Sequence, residues 1–431
     1  MLVARWLNHL IQVGTLSLID GVGRTHRFGS GEPPSVTVRL HDRALNWKLF
    51  FDPELHTGEA YMDGTLTVED GSVYDFLELI CMNLATAGYH PYYRAVEWVR
   101  RVIRPVQQFN PIGRARGNVA RHYDLSDALY DLFLDTNRQY SCAYFADGDE
   151  DLETAQEKKM RHIAAKLLLK PGHRVLDIGS GWGGLALYLA REMRVDVTGI
   201  TLSSNQLQAS RARAEEAGLA GCARFFLRDY REETGTYDRI VSVGMFEHVG
   251  IGHYRRFFTK VRDLLADDGV ALLHTIGRRY GPQVSSVWLR KYIFPGGYSP
   301  ALSEVVPVIE KLDLCITDIE VLRLHYADTL RHWRMRFLAN RDKAKALYDE
   351  RFCRMWEFYL ASAEVTFRHL DHVVLQIQLA KRQDAVPLTR DYITELERAL
   401  AQSALKGVQS TWGYPRSGYR FIRSRSRPGT H

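Results

Sequence analysis

Between residues 35 and 70 apolar and polar positions alternate in short bursts, Ser35-Val-Thr-Val-Arg-Leu40, Trp47-Lys-Leu-Phe-Phe51 and Gly64-Thr-Leu-Thr-Val-Glu69, with turn residues between them. Alternation at period two marks half-buried strands, so this stretch predicts a small β-rich unit. Helical spacing follows at about 72–87 and 91–108; the second segment carries Tyr92, Tyr93 and Trp98 beside Arg94, Arg100, Arg101 and Arg104. An aromatic and basic amphipathic helix can lie on a membrane or pack on its own domain, and packing is the preferred reading. Phe109-Asn-Pro-Ile-Gly-Arg-Ala-Arg-Gly117 then interrupts the pattern with Pro, Gly and charge, as a linker does.

From residue 152 the pattern alternates between helix and strand. It predicts helices through Leu169, at 183–193, 203–217 and 253–265, and strands at 173–178, 195–200, 222–227, 237–243 and 269–275. This βαβ rhythm requires a mostly parallel sheet with right-handed crossovers. A further strand near 313–323 and long helices over about 327–382 complete the unit, and no internal repeat is found.

Ligands of such sheets bind beyond the carboxyl ends of the strands. Those ends read Asp177 to Gly183, Thr201-Leu-Ser-Ser-Asn-Gln206, Asp229-Tyr-Arg231, Val243 to Gly250 and His274-Thr-Ile276, and all five are expected on one rim. Gly179, Gly181 and Gly184 satisfy the dinucleotide G-x-G-x-x-G pattern, while Asp177-x-Gly179-x-Gly181-x-Gly183 is the loop of S-adenosylmethionine (SAM) methyltransferases. A nicotinamide site needs an acid at the tip of the second strand for the ribose hydroxyls. That tip reads Thr198-Gly-Ile-Thr201, and Asp196 stands at the strand's other end, so SAM is favoured.

Composition adds limits. The 431 residues are 45% hydrophobic, enough for two or three domains. No Asp or Glu follows Glu397, whereas Arg398, Lys406, Arg416, Arg420, Arg423, Arg425 and Arg427 do; without those seven the net charge of +6 becomes −1. A basic tail on a neutral body suits an anionic surface, or is simply a solvated end. Cys81, Cys142, Cys222, Cys315 and Cys353 lie far apart without C-x-x-C spacing, so no metal site and no disulfide framework are expected, in keeping with a reducing cytoplasm. The apolar stretch from Met1 to Asp20 is interrupted by Gln12, Gly14 and Thr15, and no run approaches the ~20 residues of a membrane span. Membrane contact is therefore expected to be peripheral.

Several longer motifs are recognisable: His122-Tyr-Asp124, Tyr140-Ser-Cys-Ala-Tyr-Phe145, Val241-Ser-Val-Gly-Met-Phe-Glu-His-Val-Gly250, Leu273-His-Thr-Ile276 and Lys291-Tyr-Ile-Phe-Pro-Gly-Gly297. Together, over roughly residues 117–380, they resemble the cyclopropane-fatty-acyl-phospholipid synthases. The resemblance implies an α/β fold with a SAM-methyltransferase, Rossmann-like, mostly parallel sheet and a smaller α+β N-terminal domain like lipid carriers. The expected division is 1–108 for that domain, 109–117 for the linker, 118–385 for the catalytic domain and 386–431 for a basic extension. It further implies methylene transfer from SAM to a cis double bond of an unsaturated phospholipid acyl chain, by a homodimer on the inner face of the membrane, without nucleic acid.

An alkene is a weak nucleophile, so catalysis must come from the sulfonium and from alignment; the resulting carbocation needs a dry site and aromatic faces. Tyr140, Tyr144, Phe145, Phe246, Tyr292, Phe294 and Tyr326 stand near the motifs, most of them as ordinary packing. The resemblance implies a bound bicarbonate as base, held by Cys142, Glu247, His274 and Tyr326 with the backbone of Ile276. A carboxylate beside an anion repels it unless a proton is shared or His274 is charged, so a coupled network is expected. A covalent role for Cys142 is disfavoured because an alkene offers a thiolate no electrophilic carbon.

For SAM, the resemblance places Tyr140 and Ser141 at the methionine end, Gly179 and Gly181 beside Asp177 in the loop, Thr201, Leu202 and Gln206 near the ribose, and Asp229 and Tyr230 near adenine. Many relatives have Cys where Ser180 stands, and some carry one where Ala363 stands; Cys353 is read as structural. Two rivals remain: a C-methyltransferase giving a methyl-branched or methylene product, and a silent lipid-binding homologue.

Overall fold

The computed structural model describes residues 2–87 and 125–405. The helix expected at 91–108, the linker at 109–117, His122-Tyr-Asp124 and the basic tail beyond residue 405 lie outside the described residues.

The N-terminal unit is a four-stranded sheet in the order β2-β1-β3-β4, with β1 at Thr15–Ile19, β2 at Thr25–Gly29, β3 at Ser35–Leu40 and β4 at Leu66–Asp70. β1 runs parallel to β3 and antiparallel to β2. Two of the three alternating bursts are strands, but residues 47–51 are not: they belong to the helix Leu45–Phe51. Leu45 and Leu49 are its buried pair, four apart, and Trp47 stacks on Phe51 at 6.4 Å, so helical period outweighs the local alternation. The helix expected at 72–87 is Val73–Ala87.

The larger sheet has the order β10-β11-β9-β8-β5-β6-β7. Its strands are β5 (Arg174–Ile178), β6 (Asp196–Thr201), β7 (Ala223–Leu227), β8 (Tyr237–Val243), β9 (Leu265–Arg278), β10 (Cys315–Leu322) and β11 (His372–Ala380). β7, β6, β5, β8 and β9 pair in parallel, and the winding reverses between β5 and β8. That reversal is the crevice where an open α/β sheet takes its ligand. β5 is buried at Val175 through Ile178, as expected where helices cover both faces.

One expectation needs correction here. Long helices do not run to residue 382: Glu350–His369 ends, and residues 372–380 form β11, inserted antiparallel between β9 and β10. Its run Val373-Val-Leu-Gln-Ile377 is buried on both faces, and a mostly apolar run without alternation carries no period that separates strand from helix. The extension from 386, whose order the sequence leaves open, begins with a helix. Helix Asp391–Leu405 packs on helix Leu152–Lys166, buries Ile393 and Leu400, and sends Glu397 to His162 at 2.6 Å.

The two units share a core. Gly58 of helix Pro53–Met62 lies so close to Trp288 that a Cβ there would come within 2.4 Å of the indole nitrogen. Trp288 Nε1 donates to Met62 Sδ at 3.3 Å, and Lys291 and Tyr292 both donate to Glu59 at 2.6 and 2.9 Å.

Candidate active site

Four of the five strand ends converge on one cavity, lined by residues 177–182 at the end of β5, Ile200, Thr201, Leu202 and Gln206 at the end of β6, Arg228 to Arg231 after β7, and Val243, Gly244, Met245, His248 and Val249 at the end of β8. The fifth end does not: His274 and Ile276 of β9 line a second cavity instead. In the loop, Gly179 has φ +87° and faces Met245, whose Cβ would be 2.8 Å from any side chain placed there. Gly184 opens the helix Gly184–Met193 and lets the chain at Asn137 approach; a Cβ would be 2.1 Å from the Asn137 carbonyl oxygen.

Tyr140, Ser141, Asp177, Gly179, Gly181, Thr201, Leu202, Gln206, Asp229 and Tyr230 all line this first cavity. Asp177 is buried with Oδ2 unpartnered, and burial pushes its carboxyl up to about 7 against the opposing charge of Lys159. Thr201 Oγ1 donates to Gln206 Oε1 at 2.9 Å, which fixes both side chains after β6. Asp229 is held by Arg231, whose guanidinium donates to its two oxygens at 2.8 and 2.7 Å. Tyr230 lies edge-on to Phe257 at 5.3 Å. Tyr140 pairs its hydroxyl with that of Tyr359 at 2.9 Å and stacks on Trp333 at 5.1 Å.

The second cavity encloses about 480 Å³. Its lining holds Cys142, Glu247, His274, Ile276 and Tyr326; the rest is largely apolar and includes Leu16, Leu18, Val38, Leu40 and Phe76 of the N-terminal unit, with Asp52 and Glu54 also present. Tyr140, Ser141, Gly244 and His248 line both cavities and so form the partition between them.

Glu247 Oε1 accepts from the Ile276 N–H at 2.6 Å, while Oε2 is buried without a partner. Burial pushes this carboxyl up to about 7, so it holds a proton that an exposed glutamate would have lost. His274 is fully enclosed, and burial, with the nearby Lys159 and Lys166, holds it well below its usual value and neutral. Its Nδ1 pairs with Gln376 Nε2 at 3.1 Å; with the amide donating, the ring carries its proton on Nε2. Of the two ways to reconcile Glu247 with an anion, the electrostatics therefore favour a proton on Glu247 over a charged His274. The Cys142 thiol donates to the Ala143 carbonyl at 3.2 Å, and burial raises it far above the range of a reactive thiolate.

Of the seven aromatics near the motifs, Tyr140, Phe294 and Tyr326 line the second cavity. The others pack elsewhere: Tyr144 is stacked between His162 and His325, Phe246 joins Tyr254, Phe257 and Phe258, Phe145 lies on His332, and Tyr292 bonds Glu59. Phe358, Tyr359 and Phe367, absent from the sequence reading, also line it. Gln376 and Lys159 were also missed. Lys159 belongs to a stripe of Gln156, Lys159, His162 and Lys166 along helix Leu152–Lys166, all buried, whose three-to-four spacing was a signal available in the sequence.

The family described as mycolic acid cyclopropane synthetase matches residues 112–377. The chain is 37% identical over 354 residues to the cyclopropane-fatty-acyl-phospholipid synthase of Escherichia coli K12, covering 82% of this chain and 89% of that protein. It is 34% identical over 389 residues to a probable fatty acid methyltransferase of Pseudomonas putida, covering 87% and 95%. A solved cyclopropane synthase of Mycobacterium tuberculosis superimposes with a TM-score of 0.60 at 34% identity, over 63% of this chain and 99% of that one. A mycolic acid cyclopropane synthase solved with SAH and CTAB gives 0.59 at 34% identity, with the same coverage. The chain belongs to the mycolic acid cyclopropane synthetase family and is a SAM-dependent methyltransferase.

Proposed function

We propose that this enzyme transfers a methylene group from SAM to a cis double bond of an unsaturated acyl chain in a membrane phospholipid, closing a cyclopropane ring. The carrying observation is the partition: a cavity framed by the glycine loop and a largely apolar cavity that also holds Cys142, Glu247 and His274 meet at Tyr140, Ser141, Gly244 and His248. In the first, SAM supplies an electrophilic methyl on a sulfonium. In the second, the double bond would lie against the partition, with the tail of the chain among the apolar side chains of the N-terminal unit.

The alkene π pair forms the new bond to the methyl carbon while the C–S pair returns to sulfur, leaving a cation on the second alkene carbon. Tyr140, Phe294 and Tyr326 are aromatic rings lining the cavity where that charge would sit, and the largely apolar lining disfavours the water that would trap it. Loss of a proton from the new methyl then supplies the pair that closes the ring. Bicarbonate, when bound, supplies the base for that proton. The polar part of the lining suits such an anion: a protonated Glu247 has an O–H to donate, and the neutral His274 has its Nε2–H. The Ile276 N–H holds Glu247 in place, and Cys142 stays a neutral thiol, as a non-covalent role requires.

Among the described residues no helix is long and apolar enough to cross a membrane. The basic tail supports peripheral contact with an anionic surface at the cytoplasmic face, and a homodimer completes the reading. The test is incubation of purified protein with labelled SAM and monounsaturated phospholipid vesicles, followed by product identification. A product of the expected mass without a double bond is the predicted result. A methylated alkene would instead establish the C-methyltransferase, and SAM binding without turnover the silent homologue.

A further inference from the structure

Lys159 lies behind the wall of the first cavity, on helix Leu152–Lys166, with no solvent exposure. Its ammonium donates to Gln139 Oε1 at 2.5 Å and to Ser141 Oγ at 2.9 Å, and neither acceptor is charged. A buried cation is costly, so one held by neutral acceptors beside a ligand cavity points to a use. One helical turn away on the same face, Gln156 Nε2 donates to the Ser141 and Gln139 carbonyls at 2.9 and 3.3 Å. Backbone and side chains of residues 139–141 are thus held by one helix.

The direction of these bonds matters. An ammonium has donors only, so Ser141 Oγ and Gln139 Oε1 must both accept from it. The Ser141 O–H and the Gln139 NH₂ are left to donate elsewhere, and both residues line the cavity. Gln139 Nε2 reaches the Asn137 carbonyl only at 3.4 Å, which leaves it available. The anionic group of SAM is its methionine carboxylate.

We infer that Lys159 is a positioning residue that fixes Ser141 and Gln139 as hydrogen-bond donors to the SAM carboxylate. This rests on the reading that places SAM in the first cavity. Burial holds Lys159 down to about 8, and the carboxylates of Asp135 and Asp177 keep it charged near neutrality.

The test compares binding of SAH with binding of its decarboxylated analogue, by calorimetry on the full-length protein. The wild type is expected to prefer SAH. Lys159→Met, which keeps the volume of the stem, is expected to weaken SAH about 10- to 100-fold, the range for a lost bond to a charged group, and the decarboxylated analogue by less than about 3-fold. Equal losses for both ligands overturn the inference, because a general packing defect has no reason to sense the carboxylate. If Lys159→Met does not fold, Ser141→Ala decides on an intact core: it must reduce the preference for SAH, and an unchanged preference overturns the inference. SAH binding that survives Gly179→Val would overturn the placement of SAM, a failure separate from that of Lys159.

Discussion

Glu247→Gln should move activity and stability in opposite directions. In the wild type Oε1 accepts from the Ile276 N–H at 2.6 Å and Oε2 is buried without a partner. Glutamine preserves the first bond and replaces the orphaned oxygen with a neutral amide. Burial raises the carboxyl from 4.5 to about 7, which corresponds to about 3 kcal/mol against the ionised form. Between those values the folded protein keeps a proton that the unfolded chain has released. Wild-type stability therefore falls as pH rises from 4.5 to about 7 and is level with respect to this group above that.

The glutamine variant lacks this titration. Its advantage over the wild type should grow by up to about 3 kcal/mol between pH 4.5 and 8, or roughly 5 °C in Tm for a unit of this size. Thermal melts across that range measure it. SAM binding should be largely unchanged, since Glu247 lines only the second cavity. Turnover on monounsaturated vesicles should fall at least ~10-fold, a floor for general-base assistance. Near-normal turnover would refute the anion site, and a Tm difference that ignores pH would refute the buried proton.

Three further outcomes are expected. Gly184→Ala places a Cβ 2.1 Å from the Asn137 carbonyl oxygen and 2.4 Å from Gln139 Nε2, so it should cost about 1–3 kcal/mol in chemical denaturation and weaken SAM binding. Buried His162 is raised above 6.5 because hydrogen bonds to Glu320 and Glu397 outweigh burial; that stabilisation is complete below pH 6.5 and lost as pH rises through the folded value, so the stability gap between wild type and His162→Gln should narrow with rising pH. Removing residues 412–431 should weaken binding to anionic vesicles, most visibly at low salt, and unchanged binding would mark the tail as a solvated end.

The sequence was most legible where a period was sustained. The βαβ rhythm from residue 152 located β5 through β9 within a few residues, and the strand-end argument brought Asp177, Thr201, Gln206 and Asp229 to one cavity. It failed at Trp47 to Phe51, where five residues cannot separate alternation from a helical pair, and at Val373 to Ile377, where burial on both faces erases the period. Lys159 and Gln376 were missed for another reason. Each reaches the site through a partner, Ser141 or His274; the spacing of Gln156, Lys159, His162 and Lys166 marks one helix face but not the contact that face makes.

The competing products differ in which proton the cation loses and in whether a hydride shift comes first. Removal from the transferred methyl of the first-formed cation closes a ring; removal from a neighbouring chain carbon leaves a double bond in the chain, and a hydride shift to the cationic carbon before the methyl loses its proton gives the methylene product. Cys142, Glu247 and His274 all stand beside the partition through which the methyl must come. The N-terminal unit presents Leu16, Leu18, Val38, Leu40 and Phe76, side chains with no capacity to accept a proton, together with the carboxyl groups of Asp52 and Glu54. A base held beside the partition therefore meets the new methyl before it meets carbons farther along the chain. That placement favours loss of a methyl proton, the step ring closure needs, over loss from a chain carbon farther along.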